Sequence, residues 1–112
     1  MDSNGAGHGF VRSPNGSVTP FDDPDAGAGA NQGTFGFSIN FEGAITGTYT
    51  DANNKYHGFV RYSDGRFTRF DAPNAAPTIA PGTRPSTNNL LGAVTGWYVD
   101  ANNLNHGFVW RP

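Results

Sequence analysis

The chain has 112 residues and a formal net charge of −2, from 7 Lys and Arg against 9 Asp and Glu. It therefore makes one domain at most, and it lacks the basic excess that a nucleic-acid partner requires. With no cysteine and only 14% charged residues, disulfides and thiolate-held metals are excluded and the polarity falls to Asn, Thr, Ser and Gly.

The 16 Gly and 8 Pro favour short strands and many turns over long helices. No apolar run approaches the roughly 18 residues of a membrane span. The opening Met1-Asp2-Ser3-Asn4-Gly5 has neither a basic nor an apolar leader region, so no signal peptide is visible. The chain reads as a mature or excised segment, which leaves a secreted origin open.

In chain order, the first strand-like stretch is His8-Gly9-Phe10-Val11-Arg12. The turn Pro14-Asn15-Gly16 leads to Thr19-Pro20-Phe21-Asp22. Phe37-Ser38-Ile39-Asn40 follows, then Ile45–Thr50, whose Ile45, Gly47 and Tyr49 point one way and Thr46, Thr48 and Thr50 the other. The polar turn Asp51-Ala52-Asn53-Asn54 precedes His57 and the strand Gly58–Tyr62. Ser63-Asp64-Gly65 turns the chain into Phe67–Phe70. Ser86-Thr87-Asn88-Asn89, behind Pro85, is a poor strand former. Val94–Val99 is a good one, then Asp100-Ala101-Asn102-Asn103 and Gly107–Trp110 close the series. Asn and Asp cluster in the connectors because they tolerate left-handed backbone and cap their own turns.

These stretches repeat. His-Gly-Phe-Val occurs at His8, His57 and His106, 49 residues apart each time. Residues 2–50 form one repeat, 51–99 a second, and 100–112 begin a third, all within a single domain spanning 1–112. About four strands per unit of this length predict an all-β protein of propeller-like, four-stranded antiparallel blades. Two blades cannot close a ring and leave unpaired edges. The expectation is a homo-oligomer, with a trimer giving six blades.

The string Gly-Ala-Ile-Thr-Gly-x-Tyr-x-Asp-x-Asn-x-x-x-His-Gly-Phe-Val-Arg, followed by Gly-x-x-Thr-x-Phe-Asp-x-Pro, resembles the HAF-type extracellular repeats of bacterial secreted and surface proteins. The resemblance covers nearly the whole chain. It implies propeller-like blades and an extracellular or cell-surface setting, and it supplies no catalytic residues. The two-blade layout also resembles that of certain small lectins that assemble into rings.

The candidate sites follow from residue type. Each Asp…His turn (Asp2/His8, Asp51/His57, Asp100/His106) could hold a metal or act as an acid–base dyad. The plainer reading is a carboxylate capping its own turn and bonded to the imidazole across it. Asp51, His57, Asp100 and His106 are therefore metal candidates only in the first sense; the terminal Glu of a calcium loop is missing. Trp97 stands where the first unit has Thr48, and Trp110 where Arg12 and Arg61 stood. With Tyr49 and Tyr98, these rings could stack on a sugar face or be buried at a subunit contact. Most of the nine Phe are expected in the core. Arg12 and Arg61 could bind carboxylates or sugar hydroxyls, or pair with Asp22 or Asp71 as strand-end charges. The amides of Asn53 and Asn102 complete the ligand-binding set. Glu42 is the only glutamate; with Asp22 or Asp23 it is the one carboxylate pair that a glycosidase reading could use.

Copies of one modest site suit binding better than catalysis. The sequence points to a lectin-like binding module for a glycan or other polar ligand, with no cofactor. The alternatives are a hydrolase or metal-dependent enzyme using Asp and His, and a scaffold with no ligand of its own.

Overall fold

Runs rich in β-branched and aromatic residues became strands, and Gly, Asn and Asp became the turns between them. The computed structural model describes residues 1–76 and 82–112. Its strands are β1 (Gly9–Arg12), β2 (Val18–Phe21), β3 (Gly33–Ile39), β4 (Ile45–Thr50), β5 (Tyr56–Arg61), β6 (Phe67–Phe70), β7 (Thr83–Asn88), β8 (Val94–Val99) and β9 (Asn105–Trp110). No helix occurs among the described residues, and every strand pair is antiparallel.

The strands form three open sheets: β1-β2, β3-β4-β5-β6 and β7-β8-β9. No closed barrel or propeller is formed among the described residues. Only the middle sheet has the four strands expected of each unit. The sheets do not follow the repeat boundaries: the His-bearing strand β5 pairs with β4 of the preceding repeat. Hydrogen bonding across the Asp-x-Asn-Asn turn thus joins what a cut at Asp51 separates.

Two strands differ from expectation in a telling way. β3 begins at Gly33 rather than Phe37, and β7 forms across Pro85. The register shifts between Gly36 and Ser38 in one and between Pro85 and Thr87 in the other. A bulge on an edge strand is where a residue lacking an N–H does least harm. Gly47 and Gly96 sit mid-strand for the complementary reason. A Cβ there would lie 2.0 Å from the Phe35 carbonyl oxygen and 2.1 Å from that of Arg84.

The middle sheet is covered on both faces. Ile45, Tyr49 and Phe59 pack with Phe21 of the first sheet, helped by Val11 and Phe67. On the other face Ala44 and Val60 pack with Val94, flanked by Tyr62, Phe70, Phe108 and Trp110. Thr46 and Thr48 are buried there too, so β4 is hidden throughout. The two contacts are built alike. The Asp23 amide donates to Thr34 Oγ1, and 49 residues on the Ala72 amide donates to Thr83 Oγ1. Gly27 N–H bonds Thr50 O as Ala76 N–H bonds Val99 O.

The outermost faces have no such cover. Phe10, Phe37 and Phe41 are exposed, whereas five of the nine Phe lie in or against the two cores, as expected for most of them. Val109 is 59% exposed although its counterpart Val60 is 1% exposed.

Candidate functional site

The Asp-x-Asn turn is the most repeated constellation in the molecule. Asp51 Oδ1 accepts from the backbone N–H groups of Asn53 and Lys55. Asp2 does the same for Asn4 and Ala6, and Asp100 for Asn102 and Leu104. The fourth turn residue takes left-handed backbone, at φ 62° for Asn54 and 65° for Asn103, with Gly5 at 81°; Asn and Gly occupy that region most readily. Each turn is therefore locked by its own carboxylate.

The second carboxylate oxygen holds the histidine. Asp2 Oδ2 lies 2.7 Å from His8 Nε2, Asp51 Oδ2 3.1 Å from His57 Nε2, and Asp100 Oδ2 2.8 Å from His106 Nε2. The other ring nitrogen meets a second acid. His8 Nδ1 is 2.9 Å from Asp22, and His57 Nδ1 is 3.0 Å from Asp71. These aspartates follow β2 and β6, so each imidazole ties a turn to a neighbouring strand end. The third histidine has one carboxylate only among the described residues. Tyr49 stacks on His57 at 4.9 Å and Tyr98 on His106 at 5.0 Å.

An imidazole between two carboxylates is held in its charged form. The hydrogen bonds to Asp2 and then Asp22 raise the pKa of His8. Burial works against the charged form of His57, but the bonds to Asp71 and Asp51 outweigh it and its pKa is also raised. The His8 bond lowers the pKa of Asp2. For Asp51 burial opposes ionisation, and the Lys55 amide and His57 overcome it. The Leu104 amide, then His106, lowers that of Asp100. In the charged form that the paired carboxylates favour, the imidazoles of His8 and His57 donate from both nitrogens and offer no lone pair. No group of three or more His, Cys, Asp or Glu among the described residues is arranged to hold a metal ion. The arrangement is a clamp that fixes a turn.

The other candidates divide into packed and open. Trp110 stacks flat on Phe70 at 4.8 Å, and the Arg61 guanidinium lies 5.0 Å over the equivalent Phe21 ring. Both bind one sheet to the next, which is why indole and guanidinium exchange at that position. Neither Arg12 nor Arg61 pairs with Asp22 or Asp71, because those carboxylates face His8 and His57. Tyr49 is buried; burial, then the charge of Asp23, pushes its phenol up to about 12, so it stays protonated. Tyr98 and Trp97 are half-buried, and Arg12, Asn53 and Asn102 are exposed. Trp97 shares a face with Thr95, on the side of the third sheet that no other sheet covers.

Glu42 is exposed in the β3–β4 turn, whereas the Asp23 backbone bonds Thr34 at the opposite end of β3. A seven-residue strand spans about 20 Å, too far for the paired carboxyls of a glycosidase.

Asp22 and Asp71 are clamp members that sequence reasoning missed. Their signal was present: each Thr-x-Phe-Asp places its acid 14 residues after a histidine. A second unforeseen pair is Asp23, fully buried in its side chain, with Arg69 at 2.9 Å. It links the first sheet to β6 and has no repeat signature, since Ala72 and Pro20 stand at the equivalent positions.

Compared with protein-family models, with curated proteins and with solved structures, the chain matches none of them.

Proposed function

We propose that this chain is an extracellular binding module that recognises a glycan, or another ligand rich in hydroxyls, through its repeated clamped turns. The observation that carries this reading is the pairing of rigidity with unspent hydrogen-bonding capacity. The Asn53 and Asn102 side chains are exposed and make no hydrogen bond among the described residues, yet the backbone under each is fixed by Asp51 or Asp100. A preorganised amide loses little entropy on binding and offers both donor and acceptor to a sugar hydroxyl. The acid and base groups of the first two turns, His8 with Asp2 and Asp22 and His57 with Asp51 and Asp71, are closed on one another.

The HAF-type resemblance supports an extracellular setting. The 49-residue recurrence of the inter-sheet bonds supports a propeller-like stack. Three chains would complete a six-bladed ring carrying several copies of the turn. Each turn binds weakly, and the ring gains affinity by multivalency.

A glycan array probed with the assembled protein tests the reading. Asn53→Ala with Asn102→Ala should abolish array binding and leave the circular dichroism spectrum unchanged. Absence of binding to any glycan, or binding untouched by the two substitutions, refutes it.

A further inference from the structure

The open surfaces of this molecule match one another. Beside β1, and over β3 and β4, runs a groove of about 480 Å³ whose walls include Gly36, Ile39 and Ile45. On the outer face of the third sheet is a second depression of about 360 Å³ whose walls include Ala93, Thr95 and Val109. Four of these six residues, Ile39, Ile45, Ala93 and Val109, are 49-residue equivalents of residues already in contact between sheets inside the chain, Asn88, Val94, Ala44 and Val60. Ile45 corresponds to Val94, which packs on Ala44 and Val60. Ala44 and Val60 correspond in turn to Ala93 and Val109. One depression thus presents one half of a known contact, and the other presents the other half. Size agrees as well: the indole of Trp97 stands where the smaller Thr48 meets β7 at the Thr83 carbonyl, and β3 carries the small Gly36 where β7 carries Pro85.

The strand edges tell the same story. In the middle sheet β5 is paired on both sides, with Gly58 opposite Phe70 and Arg61 opposite Phe67. In the third sheet β9 pairs with β8 alone, and its outer edge is open among the described residues. β1 is the same strand by sequence. Asp2, Asn4, His8, Gly9, Phe10, Val11 and Pro14 recur as Asp100, Asn102, His106, Gly107, Phe108, Val109 and Pro112. β1 pairs with β2 through four residues only, and its other edge is bare among the described residues. Finally, His8 and His57 each lie between two aspartates, but His106 Nδ1 meets none. The missing acid is the one that follows a strand like β2.

We propose that a second copy of this chain docks on the third sheet, its β2 leaving its own β1 to pair with β9, so that Asp22 of the second copy closes the clamp on His106. The joined sheet then has the order β7-β8-β9-β2, the four-stranded arrangement of the middle sheet. The register follows from the existing pairs: Gly107 opposite Phe21, Phe108 opposite Pro20, Val109 opposite Thr19 and Trp110 opposite Val18 of the second copy. β7 and β8 fill the groove beside the displaced β1, and Val109 reaches Ile45 of the second copy. The exchange conserves a clamp, because Asp22 passes from His8 to His106. The contact is head-to-tail, so copies add until a ring closes.

The inference deepens the assembly part of the proposed function, while ligand recognition by the turns is read separately by the glycan array, so the two can fail separately. The test uses the full 112-residue chain, which has no cysteine of its own. Val109→Cys and Thr19→Cys proteins are mixed under mild oxidation. Directly opposed antiparallel positions lie within disulfide reach, so a 109–19 cross-link is expected, and it is intermolecular by construction. Ser17→Cys in place of Thr19→Cys is the off-register control and should give little product. Sedimentation of the cysteine-free protein should show more than one chain per particle. His106→Ala should weaken association about tenfold, the effect of one charge-assisted hydrogen bond; because docking also breaks the His8–Asp22 bond, adding Asp22→Ala should recover most of that loss. A monomer at every concentration overturns the proposal. So does an oligomer that cross-links no better on register than off, or one indifferent to His106→Ala.

Discussion

Val60 and Val109 occupy one repeat position in two environments, which makes them a controlled pair. Val60 is 1% exposed beneath the third sheet, against Ala44 and Val94, while Val109 is 59% exposed. Val→Ala deletes two carbons, about 0.8 kcal/mol each when fully buried, and at Val60 it leaves a cavity between two sheets. The expected cost of Val60→Ala is about 2–3 kcal/mol. At Val109 less than half of the side chain is shielded, and the cost in the isolated chain is about 0.5 kcal/mol. In urea, with a slope of about 1–2 kcal/mol per molar, the midpoint should fall by roughly 1–3 M for Val60→Ala and by no more than about 0.5 M for Val109→Ala. Tryptophan fluorescence reports both, since Trp97 and Trp110 lie in the third sheet. Equal midpoints at high dilution would refute the assignment of the two faces. Raising the protein concentration should enlarge the Val109→Ala deficit alone, because a docked copy covers that methyl group.

The clamps make stability depend on pH with a defined sign. His8 and His57 have raised pKa values in the fold; their contribution is full below the unfolded value near 6.5 and is lost as pH rises through the folded values. Asp2, Asp51 and Asp100 have lowered ones; their contribution is full above about 4 and is lost as pH falls. Thermal midpoints should peak between these limits and decline on the alkaline side, and His57→Gln should flatten that decline; an unchanged profile would count against the charged clamp. Arg69→Met strands the buried Asp23 carboxylate and should cost about 3 kcal/mol in a denaturant melt. Adding Asp23→Ala, which copies Ala72 of the second unit, should recover much of that loss; simple additivity would show that the pair is not coupled.

Much of the fold was readable before any coordinates. β4 and β8 follow from Ile45–Thr50 and Val94–Val99, runs rich in the β-branched and aromatic residues that suit a pleated surface, although β4 is buried throughout and β8 only in part. The clamped turn was half readable: Asp51 capping its own turn and holding His57 is local chemistry within a few residues. Asp71 was not assigned, since its role depends on β6 returning beside β5. β7 was underrated because propensity counts Ser86, Thr87 and Asn88 as polar. It ignores the bulge that accommodates Pro85 and the bonds by which Asn88 accepts from the Ser38 hydroxyl and donates to the Ala44 carbonyl.

The sequence by itself determined the period, the all-β character and the turns, because these rest on interactions between residues close along the chain or equivalent along it. Only the tertiary structure decided which strands share a sheet, which face of each sheet is covered, and whether a given residue is buried or open. Trp110 stacked on Phe70, Trp97 on the uncovered face, and Val60 hidden where Val109 is not are outcomes of what happens to lie across the gap. Burial is a property of the neighbour as much as of the residue, and a neighbour set by the packing of one sheet on another leaves no local mark on the chain.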